Sequence, residues 1–332
     1  MIPPLWRKIQ RTNFTHLDSL CSFLELNDEQ SSRLLNRPRF ALNLPLRLAQ
    51  KIEKGTLEDP ILRQFVPLSD ELQPAAQFIS DPVADTTARR TPKLLHKYHG
   101  RALLLTSSAC AMHCRYCFRQ QFPYETENPS FSEELAYLTQ DQTIHEVILS
   151  GGDPLSLSHD SLSSLFASLS QIPHLKRIRF HTRFPIGIPE RIDKSLLDLL
   201  AACPKQIIFI LHCNHAKELD PTIFSALRNI QQLGIPILNQ SVLLKGVNDE
   251  ENSLLSLCET LIDHNILPYY LHLLDRVTGS AHFEVSEERG RELISYLQKH
   301  LPGYGVPRLV REEAGKSSKT FVNIKETQPT FC

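Results

Sequence analysis

The sequence predicts an α/β protein built around an open, partial (β/α)6 barrel. From about residue 101, short apolar runs alternate with stretches of helical spacing. This alternation implies parallel strands joined by right-handed crossovers. The runs form six strand–helix units, fewer than the eight of a closed barrel. The chain has 332 residues, of which 41% are hydrophobic, so it can bury the core of one large barrel.

The predicted strands share a short run of mainly apolar residues. They are Ala102–Thr106, Glu146–Ser150, Arg177–His181, Gln206–His212, Pro236–Leu243 and Tyr269–Leu273. Helical spacing between them includes Leu162–Leu169, Ile192–Ala201, Ile223–Leu233 and Asn252–Ile262. Because chemistry in such barrels gathers at the carboxyl ends of the strands, functional residues are expected there.

Two further regions flank the barrel. Residues 1–90 are predicted to be a mainly helical N-terminal region, with helical spacing at Leu17–Leu26 and Leu44–Glu53 and start or stop signals at Asn27 and Asn43. The polar stretch 81–90 breaks the periodicity and marks a boundary. The barrel is expected over 91–300 and a short C-terminal appendage over 301–332. Short strands of this appendage are expected at Arg308–Arg311 and Thr320–Ile324.

Three cysteines with C-x3-C-x2-C spacing follow the first predicted strand. They are Cys110, Cys114 and Cys117. A four-iron cluster normally takes four ligands, so three thiolates leave one iron open to bind and cleave a cofactor. Tyr116, directly before the last cysteine, can shield such a cluster from water.

Other interpretations of these cysteines fit less well. A zinc site usually has four ligands in two spaced pairs, and His113 is poorly placed as the fourth because it lies between the first two cysteines. A disulfide would need an oxidising compartment and would leave one cysteine unpaired. Buried structural thiols are the third alternative. The remaining cysteines are scattered and predicted to be ordinary thiols: Cys21, Cys203, Cys213, Cys258 and Cys332.

Composition excludes several classes of partner. The net charge of −1 gives no reason to expect nucleic-acid binding. No apolar run approaches the roughly 20 residues that cross a bilayer. The first residues lack the apolar core of a secretory signal. We therefore expect a cytoplasmic protein that binds neither nucleic acid nor membrane.

A second motif, Gly151-Gly152-Asp153, directly follows the second predicted strand. Paired glycines let the backbone approach a ligand closely, and Asp153 offers a carboxylate to a cation. Alone, such a run is usually a plain turn. Its position one unit after the cysteines indicates a ligand site instead.

The cysteine motif resembles that of the radical S-adenosylmethionine (SAM) enzymes, in which a motif similar to Gly151–Asp153 holds the amino group of SAM. Further segments are similar to the lysine 2,3-aminomutase family over roughly residues 80–325. They are Gly100–Thr106, Cys117–Gln120, Asn239–Asp249, Pro268–Tyr270 and His272–Asp275. The resemblance implies a radical SAM barrel and an isomerase that moves the α-amino group of lysine from C2 to C3, giving β-lysine. The implied cofactors are a [4Fe–4S] cluster, SAM and pyridoxal 5′-phosphate (PLP).

The family binds PLP through a lysine near the C-terminus. The resemblance favours Lys319, which is followed by Thr320 as in the family, over Lys316, which has only the adjacent Gly315 in its favour. The chain lacks the full glycine run of the family. The chosen lysine would be catalytic, since it forms a Schiff base that the substrate amine displaces.

The resemblance also assigns residues that bind the PLP phosphate and the substrate. Arg101 falls at a basic phosphate ligand, and Lys97 stands where the family has another arginine. Arg119 matches the residue whose guanidinium binds the substrate carboxylate. Asp275 matches a carboxylate that binds the distal ammonium of lysine, and Glu312 replaces a second such carboxylate, an aspartate. The alternative for each is an ordinary surface charge or ion pair.

Relatives differ after the PLP lysine. Some lysine 2,3-aminomutases have a cysteine cluster there that binds structural zinc, but here only Cys332 follows Lys319. We therefore expect neither that zinc site nor its dimer-building extension. In this respect the chain resembles the bacterial branch that makes β-lysine for translation elongation factor P.

The resemblance also implies partners. They are L-lysine, a ligase acting on elongation factor P, and a reductant such as flavodoxin or ferredoxin; a homo-oligomer stays open. Two other functions stay open as well. One is a radical SAM enzyme without PLP that transfers methyl groups or sulfur, and the other is a non-catalytic metal-binding regulator.

Overall fold

The computed structural model describes residues 3–125 and 127–323. Cys332 and the end of the predicted strand Thr320–Ile324 lie outside the described residues.

The described chain forms one sheet in which strand order follows chain order. Its strands are β1 Arg89–Thr91, β2 Leu94–Tyr98, β3 Arg101–Ser107, β4 Glu146–Gly151, β5 Arg177–Thr182, β6 Gln206–His212, β7 Ile237–Val242, β8 Leu267–His272, β9 Arg308–Arg311 and β10 Thr320–Phe321. Neighbouring strands from β3 to β9 are parallel. The pairs β1–β2, β2–β3 and β9–β10 are antiparallel.

The prediction of an open barrel of six parallel units is confirmed by β3 to β8. These strands were recognisable because they carry apolar residues at buried positions, in some cases as a continuous run such as Ile207–Leu211 in β6. The antiparallel strands β1 and β2 were not predicted. They include part of the polar stretch taken as a boundary, and only Leu94 and Leu95 of these two strands are buried. The appendage strands β9 and β10 continue the same sheet.

Helices cover the strands and the N-terminal region. They are α1 Leu5–Gln10, α2 Leu17–Leu24, α3 Asp28–Ser32, α4 Leu46–Ala49, α5 Pro60–Phe65, α6 Ser132–Gln140, α7 His159–Ser170, α8 Phe184–Gly187, α9 Lys194–Ala202, α10 Pro221–Gln231, α11 Glu251–Asp263 and α12 Glu287–His300. The predicted start signal at Asn27 is confirmed, because its side chain accepts a hydrogen bond from the N–H of Gln30 at the start of α3.

Two helix predictions need correction. The segment predicted over Leu44–Glu53 is helical only at α4, and beyond it the backbone N–H groups of Lys51 and Ile52 bond three residues back in tighter turns. Asn43 neither starts nor ends a helix. Its side chain instead donates to the carbonyl of Cys110, 3.3 Å away. Helices α6 and α12 were not predicted.

The main hydrophobic core runs from Trp6 to Val322 and includes residues of the N-terminal region, the barrel and the appendage. The N-terminal region packs on the loops that follow β3 and β5; for example, the Trp6 ring lies edge-on to Phe184, with centroids 5.5 Å apart. Residues of the three predicted regions, 1–90, 91–300 and 301–332, therefore pack together in this core. The division of the chain into domains at these boundaries stays a proposal. No helix in the described residues is long and apolar enough to cross a membrane.

Candidate active site

A cavity of about 570 Å³ lies at the carboxyl ends of the barrel strands. Most of the site residues that the sequence analysis predicted line it. They are Lys97, Arg101, Cys110, Cys114, Cys117, Arg119, Gly151, Gly152, Asp153, Asp275, Glu312 and Lys319. Lys316 is exposed and is not among the lining residues. Side chains more than 200 residues apart in the chain thus share one cavity of the size that holds small-molecule cofactors.

The three cysteines lie in the loop between β3 and α6 and form no disulfide. Burial, reinforced by the neighbouring Cys114, raises the pKa of Cys117 to about 11. Burial also raises the pKa values of the other two thiols. A buried thiol of this kind loses its proton when a metal binds. Three thiols on one cavity wall therefore fit the donor set of an iron–sulfur cluster. Within the described residues, no group of three or more His, Cys, Asp or Glu is arranged to hold a single metal ion.

Residues of the N-terminal region hold the backbone of this loop. The amide Nδ2 of Asn13 donates to the carbonyl oxygen of Ala111 at 2.8 Å, and Nε2 of Gln10 donates to that of Cys110 at 3.2 Å. The buried guanidinium of Arg115 makes two hydrogen bonds to Glu71, at 2.7 and 2.6 Å. These contacts could not be predicted from the sequence, because no local pattern links positions so far apart.

The glycine turn after β4 lies against the cysteine loop. Gly151 has φ +122°, and a β-carbon on it would approach the carbonyl oxygen of Ser107 to 2.5 Å. A β-carbon on Gly152 would approach that of Ala109 to 2.3 Å. Only glycine permits this contact. Two motifs recognised separately in the sequence therefore form one continuous wall of the cavity.

The carboxylate of Asp153 is fully occupied by protein donors. Its oxygens accept from Thr182 Oγ1 at 2.8 and 2.9 Å and from the backbone N–H groups of Leu155, Arg183 and Phe184 at 3.0, 2.8 and 3.1 Å. These bonds tie the turn after β4 to the end of β5. The geometry therefore favours an indirect role for Asp153, in which it fixes the glycine backbone, over direct contact with a ligand ammonium.

A chain of alternating charges crosses the cavity wall. Arg119 Nε donates to Asp85 Oδ2 at 2.7 Å, and the other oxygen of Asp85 lies 2.6 Å from Lys97 Nζ. Lys97 also bonds Glu312 Oε1 at 2.9 Å, and Glu312 Oε2 accepts from Lys319 Nζ at 3.0 Å. Asp85, which is 1% exposed, joins Arg119 to Lys97, and Glu312 joins Lys97 to Lys319.

Two basic residues expected at a phosphate differ in their surroundings. The third contact of the Lys97 ammonium goes to the carbonyl oxygen of Val83, at 2.7 Å, so all three of its N–H donors are used inside the protein. Arg101 stacks on the ring of Tyr98, 4.6 Å from its centroid, and makes no ion pair within the described residues. Arg101 therefore has donors available for a phosphate, and Lys97 does not.

Asp275 follows β8 and faces the same cavity. Its carboxylate makes no hydrogen bond or ion pair in the part of the chain that the structure describes. Burial, together with the charge of Glu312, raises the pKa of Asp275 to about 7, although Lys319 and Lys97 oppose the shift. A carboxylate in this situation is suited to bind a cation that enters with a ligand.

Neutral histidines form another part of the cavity wall. Burial lowers the pKa values of His181, His212 and His272, so these imidazoles are uncharged at neutral pH. His212 Nε2 lies 3.2 Å from His181 Nδ1. The Nε2 atoms of His181 and His272 are buried without a hydrogen-bond partner. In the sequence these residues belong to predicted strands, and His272 also begins a segment similar to the family, but none of them was predicted as a site residue.

An open barrel of parallel strands, with three cysteines and a glycine turn at the strand ends, is the arrangement of a radical SAM enzyme. A model of the 4Fe-4S single cluster domain matches residues 99–187, which contain both motifs. L-lysine 2,3-aminomutase of Escherichia coli is 42% identical over 87% of this chain and 85% of its own length. That of Haemophilus influenzae is 40% identical over 95% of both chains. The chain belongs to the lysine 2,3-aminomutase family, whose members are isomerases.

More distant proteins are also similar. L-lysine 2,3-aminomutase of Clostridium subterminale is 31% identical over 96% of this chain and 77% of its own length. Among solved structures, a radical SAM methyltransferase from Sphaerobacter thermophilus aligns with a TM-score of 0.45 and 17% identity over 68% of this chain and 69% of that chain. A structural similarity this low carries no conclusion about the function of the chain.

Proposed function

We propose that this protein converts L-lysine into β-lysine by moving the α-amino group from C2 to C3, with a [4Fe–4S] cluster, SAM and PLP as cofactors. One observation carries the proposal. The three cysteines, the amine of Lys319 and two opposite charges for the ends of an amino acid, Arg119 and Asp275, line one cavity.

The cofactors are assigned to separate walls of the cavity. Cys110, Cys114 and Cys117 would hold the cluster, and the backbone at Gly151 and Gly152 would hold the amino group of SAM. Lys319 would bind PLP covalently through its Nζ, and Arg101 would bind the phosphate. When bound, these groups supply hydrogen abstraction at C3 and a carrier for the migrating nitrogen.

The substrate is held at both ends in this proposal. Arg119 offers its guanidinium to the carboxylate, and Asp85 orients that guanidinium through Nε, 2.7 Å away. Asp275 binds the distal ammonium of lysine. This group stays free because the α-amine is the one that joins PLP. Fixing both ends sets the position of C3 relative to the cluster wall. The uncharged histidines of the cavity wall add no competing charge.

Product analysis tests this proposal. The protein, reconstituted with iron and sulfide without oxygen, is incubated with lysine, SAM, PLP and dithionite, and the amino acids are separated by chiral chromatography. We expect β-lysine to form only when all the cofactors are present. A cluster-loaded protein that cleaves SAM but leaves lysine unchanged would favour a radical SAM enzyme without PLP. A protein that binds iron but does not cleave SAM would favour a non-catalytic metal-binding regulator.

The use of the product is a further part of the proposal. We propose that a ligase attaches the β-lysine to elongation factor P and that flavodoxin or ferredoxin supplies the electron. We also propose that the protein acts in the cytoplasm. Support comes from the resemblance of the chain to the branch with that role. In a coupled assay with the ligase and elongation factor P, the mass of the factor should increase by one lysyl group when this protein supplies the amino acid. An unchanged mass, with β-lysine present and the ligase active, would remove this role.

A further inference from the structure

The ammonium of Lys319 is bound by a carboxylate that is itself held in place. Glu312 Oε2 accepts from Lys319 Nζ at 3.0 Å, and Glu312 Oε1 accepts from Lys97 Nζ at 2.9 Å. Lys97 is fixed in turn by Asp85 and by the carbonyl of Val83. The carboxylate therefore presents one oxygen to Lys319 from a fixed position.

The carboxylate of Glu312 stays ionised in these surroundings. Burial alone would raise the pKa of Glu312, but Lys319 and Lys97 more than offset burial and hold the pKa well below its usual range. An ammonium bound to such a carboxylate is a poor nucleophile, because the free electron pair of the amine is occupied by the proton. The hydrogen bond to Glu312 therefore holds the Lys319 amine in place, and this bond must break before the amine can react.

Two carboxylates face the cavity near Lys319, and their contacts differ. Glu312 already bonds two ammonium groups of the protein. Asp275 bonds none within the described residues and faces the same cavity. A ligand ammonium at Asp275 would have the carboxylate to itself, whereas at Glu312 it would have to share the single negative charge with Lys319 and Lys97.

We propose that Glu312 is a positioning residue that binds the Lys319 ammonium whenever this amine is not joined to PLP, and that the distal ammonium of the substrate is left to Asp275. The inference rests on the proposed function, in which the substrate amine displaces Lys319 from PLP. The displaced amine would take up the proton that the incoming α-ammonium of the substrate gives up, and as an ammonium it would pair with Glu312. In this position it does not compete with the substrate for the cofactor until the product leaves.

Acetylation of lysines tests the contact directly. The full-length, cluster-loaded protein is treated with a limiting amount of an acetylating reagent before PLP is added, and Lys319 and Lys316 are quantified by peptide mass spectrometry. Exposed Lys316, three residues away, is the internal reference. In Glu312→Gln, the ratio of Lys319 to Lys316 acetylation should rise about tenfold, equivalent to ~1.4 kcal/mol and typical of a lost hydrogen bond between charged groups.

Glu313→Gln is the matched control. Glu313 accepts from Thr320 Oγ1 at 2.7 Å and, within the described residues, makes no hydrogen bond or ion pair with Lys319, so its removal should leave the ratio unchanged. Glu312→Asp restores the charge and should return the ratio most of the way to that of the unaltered protein. In the unaltered protein, Lys319 should react at least about tenfold more slowly than Lys316, a measurement that does not depend on the folding of any variant.

An unchanged ratio in folded Glu312→Gln would overturn the proposal, as would equal reactivity of the two lysines in the unaltered protein. If Glu312→Gln instead raised KM for lysine and left the acetylation ratio unchanged, Glu312 would be a substrate ligand. Failure of the proposed function has a different signature. Borohydride treatment of the PLP-loaded, unaltered protein would then leave no pyridoxyl group on Lys319, whatever the acetylation ratio.

Discussion

Gly152 lies so close to Ala109 that a β-carbon on Gly152 would come within 2.3 Å of the Ala109 carbonyl oxygen. The contact joins the turn after β4 to the loop that contains the three cysteines. The backbone N–H of Asp153 also donates to this carbonyl, at 2.8 Å. The proposed SAM site and the proposed cluster site therefore depend on each other through backbone contacts between this turn and the cysteine loop.

Gly152→Ala should disturb both sites. The added methyl group meets backbone atoms, which cannot move away cheaply, so the cysteine loop must shift. We expect iron content after anaerobic reconstitution and SAM affinity to fall severalfold. Gly303→Ala is the control, since a β-carbon there meets nothing within 4 Å. Normal iron content and SAM binding in Gly152→Ala would show that the two sites are independent.

Replacing Cys110, Cys114 or Cys117 by alanine should abolish SAM cleavage, because the remaining two thiolates do not hold a four-iron cluster stably. Iron and sulfide analysis, together with release of 5′-deoxyadenosine, measures the effect. Cys203→Ala, which changes a cysteine outside the cavity, should retain both properties. A variant lacking all three cysteines that still held four irons and cleaved SAM would refute the assignment.

Lys319, and not Lys316, should be the residue that binds PLP. Lys319 lines the cavity, whereas Lys316 is exposed to solvent. Borohydride reduction of the PLP-loaded protein, followed by peptide mass analysis, should find the pyridoxyl group on Lys319, and Lys319→Ala should lose the visible absorbance of bound PLP. Modification of Lys316 would reverse this assignment. Modification of neither lysine would remove PLP from the proposed function.

Asp275→Asn should lower kcat/KM for lysine by about 10² to several times 10³, since leaving one partner of a buried ion pair without the other costs ~3–5 kcal/mol. Cluster content and attachment of PLP to Lys319 should be unaffected. Norleucine, which lacks the distal ammonium, should be a poor substrate for the unaltered protein. Equal turnover of norleucine and lysine would mean that the cavity selects apolar amino acids.

The pH dependence of lysine binding provides a separate test of Asp275. Its pKa is raised to about 7, so the carboxylate is charged above that pH and becomes neutral as the pH falls through it. Only the charged form pairs with an ammonium. KM for lysine should therefore rise by about tenfold per pH unit below the pKa. Asp275→Asn should lose this dependence, and an identical pH profile in the variant would assign the titration to another group.

Much of the fold could be predicted because many elements have a local signal. Strands β3 to β8 place apolar residues at buried positions, and the cysteine and glycine motifs are short and contiguous. Asp85 carries no such signal. It lies in the polar stretch taken as a boundary, and its partners Lys97 and Arg119 come from other parts of the chain. That Asp85 links these two residues becomes apparent only when the sheet has curved around the cavity.

The contacts of individual side chains were harder to predict than their presence in the cavity. Lys97 was expected at a phosphate, but Asp85, Glu312 and Val83 take its three donors. Asp153 was expected to bind a ligand amine, but protein donors surround its carboxylate. Sequence resemblance indicates that a charged residue is near a ligand. Which partner it binds depends on distances of a few ångströms that only the folded chain fixes.

Transfer of deuterium tests the central claim, that cluster, SAM and lysine meet in one cavity, most directly. The reconstituted protein is incubated without oxygen with PLP, dithionite, SAM and lysine deuterated at C3, and recovered SAM and β-lysine are analysed by mass spectrometry. If the cavity holds C3 beside the SAM-binding wall, deuterium should appear in recovered SAM and at C2 of β-lysine. Formation of β-lysine with no deuterium in SAM would contradict the claim.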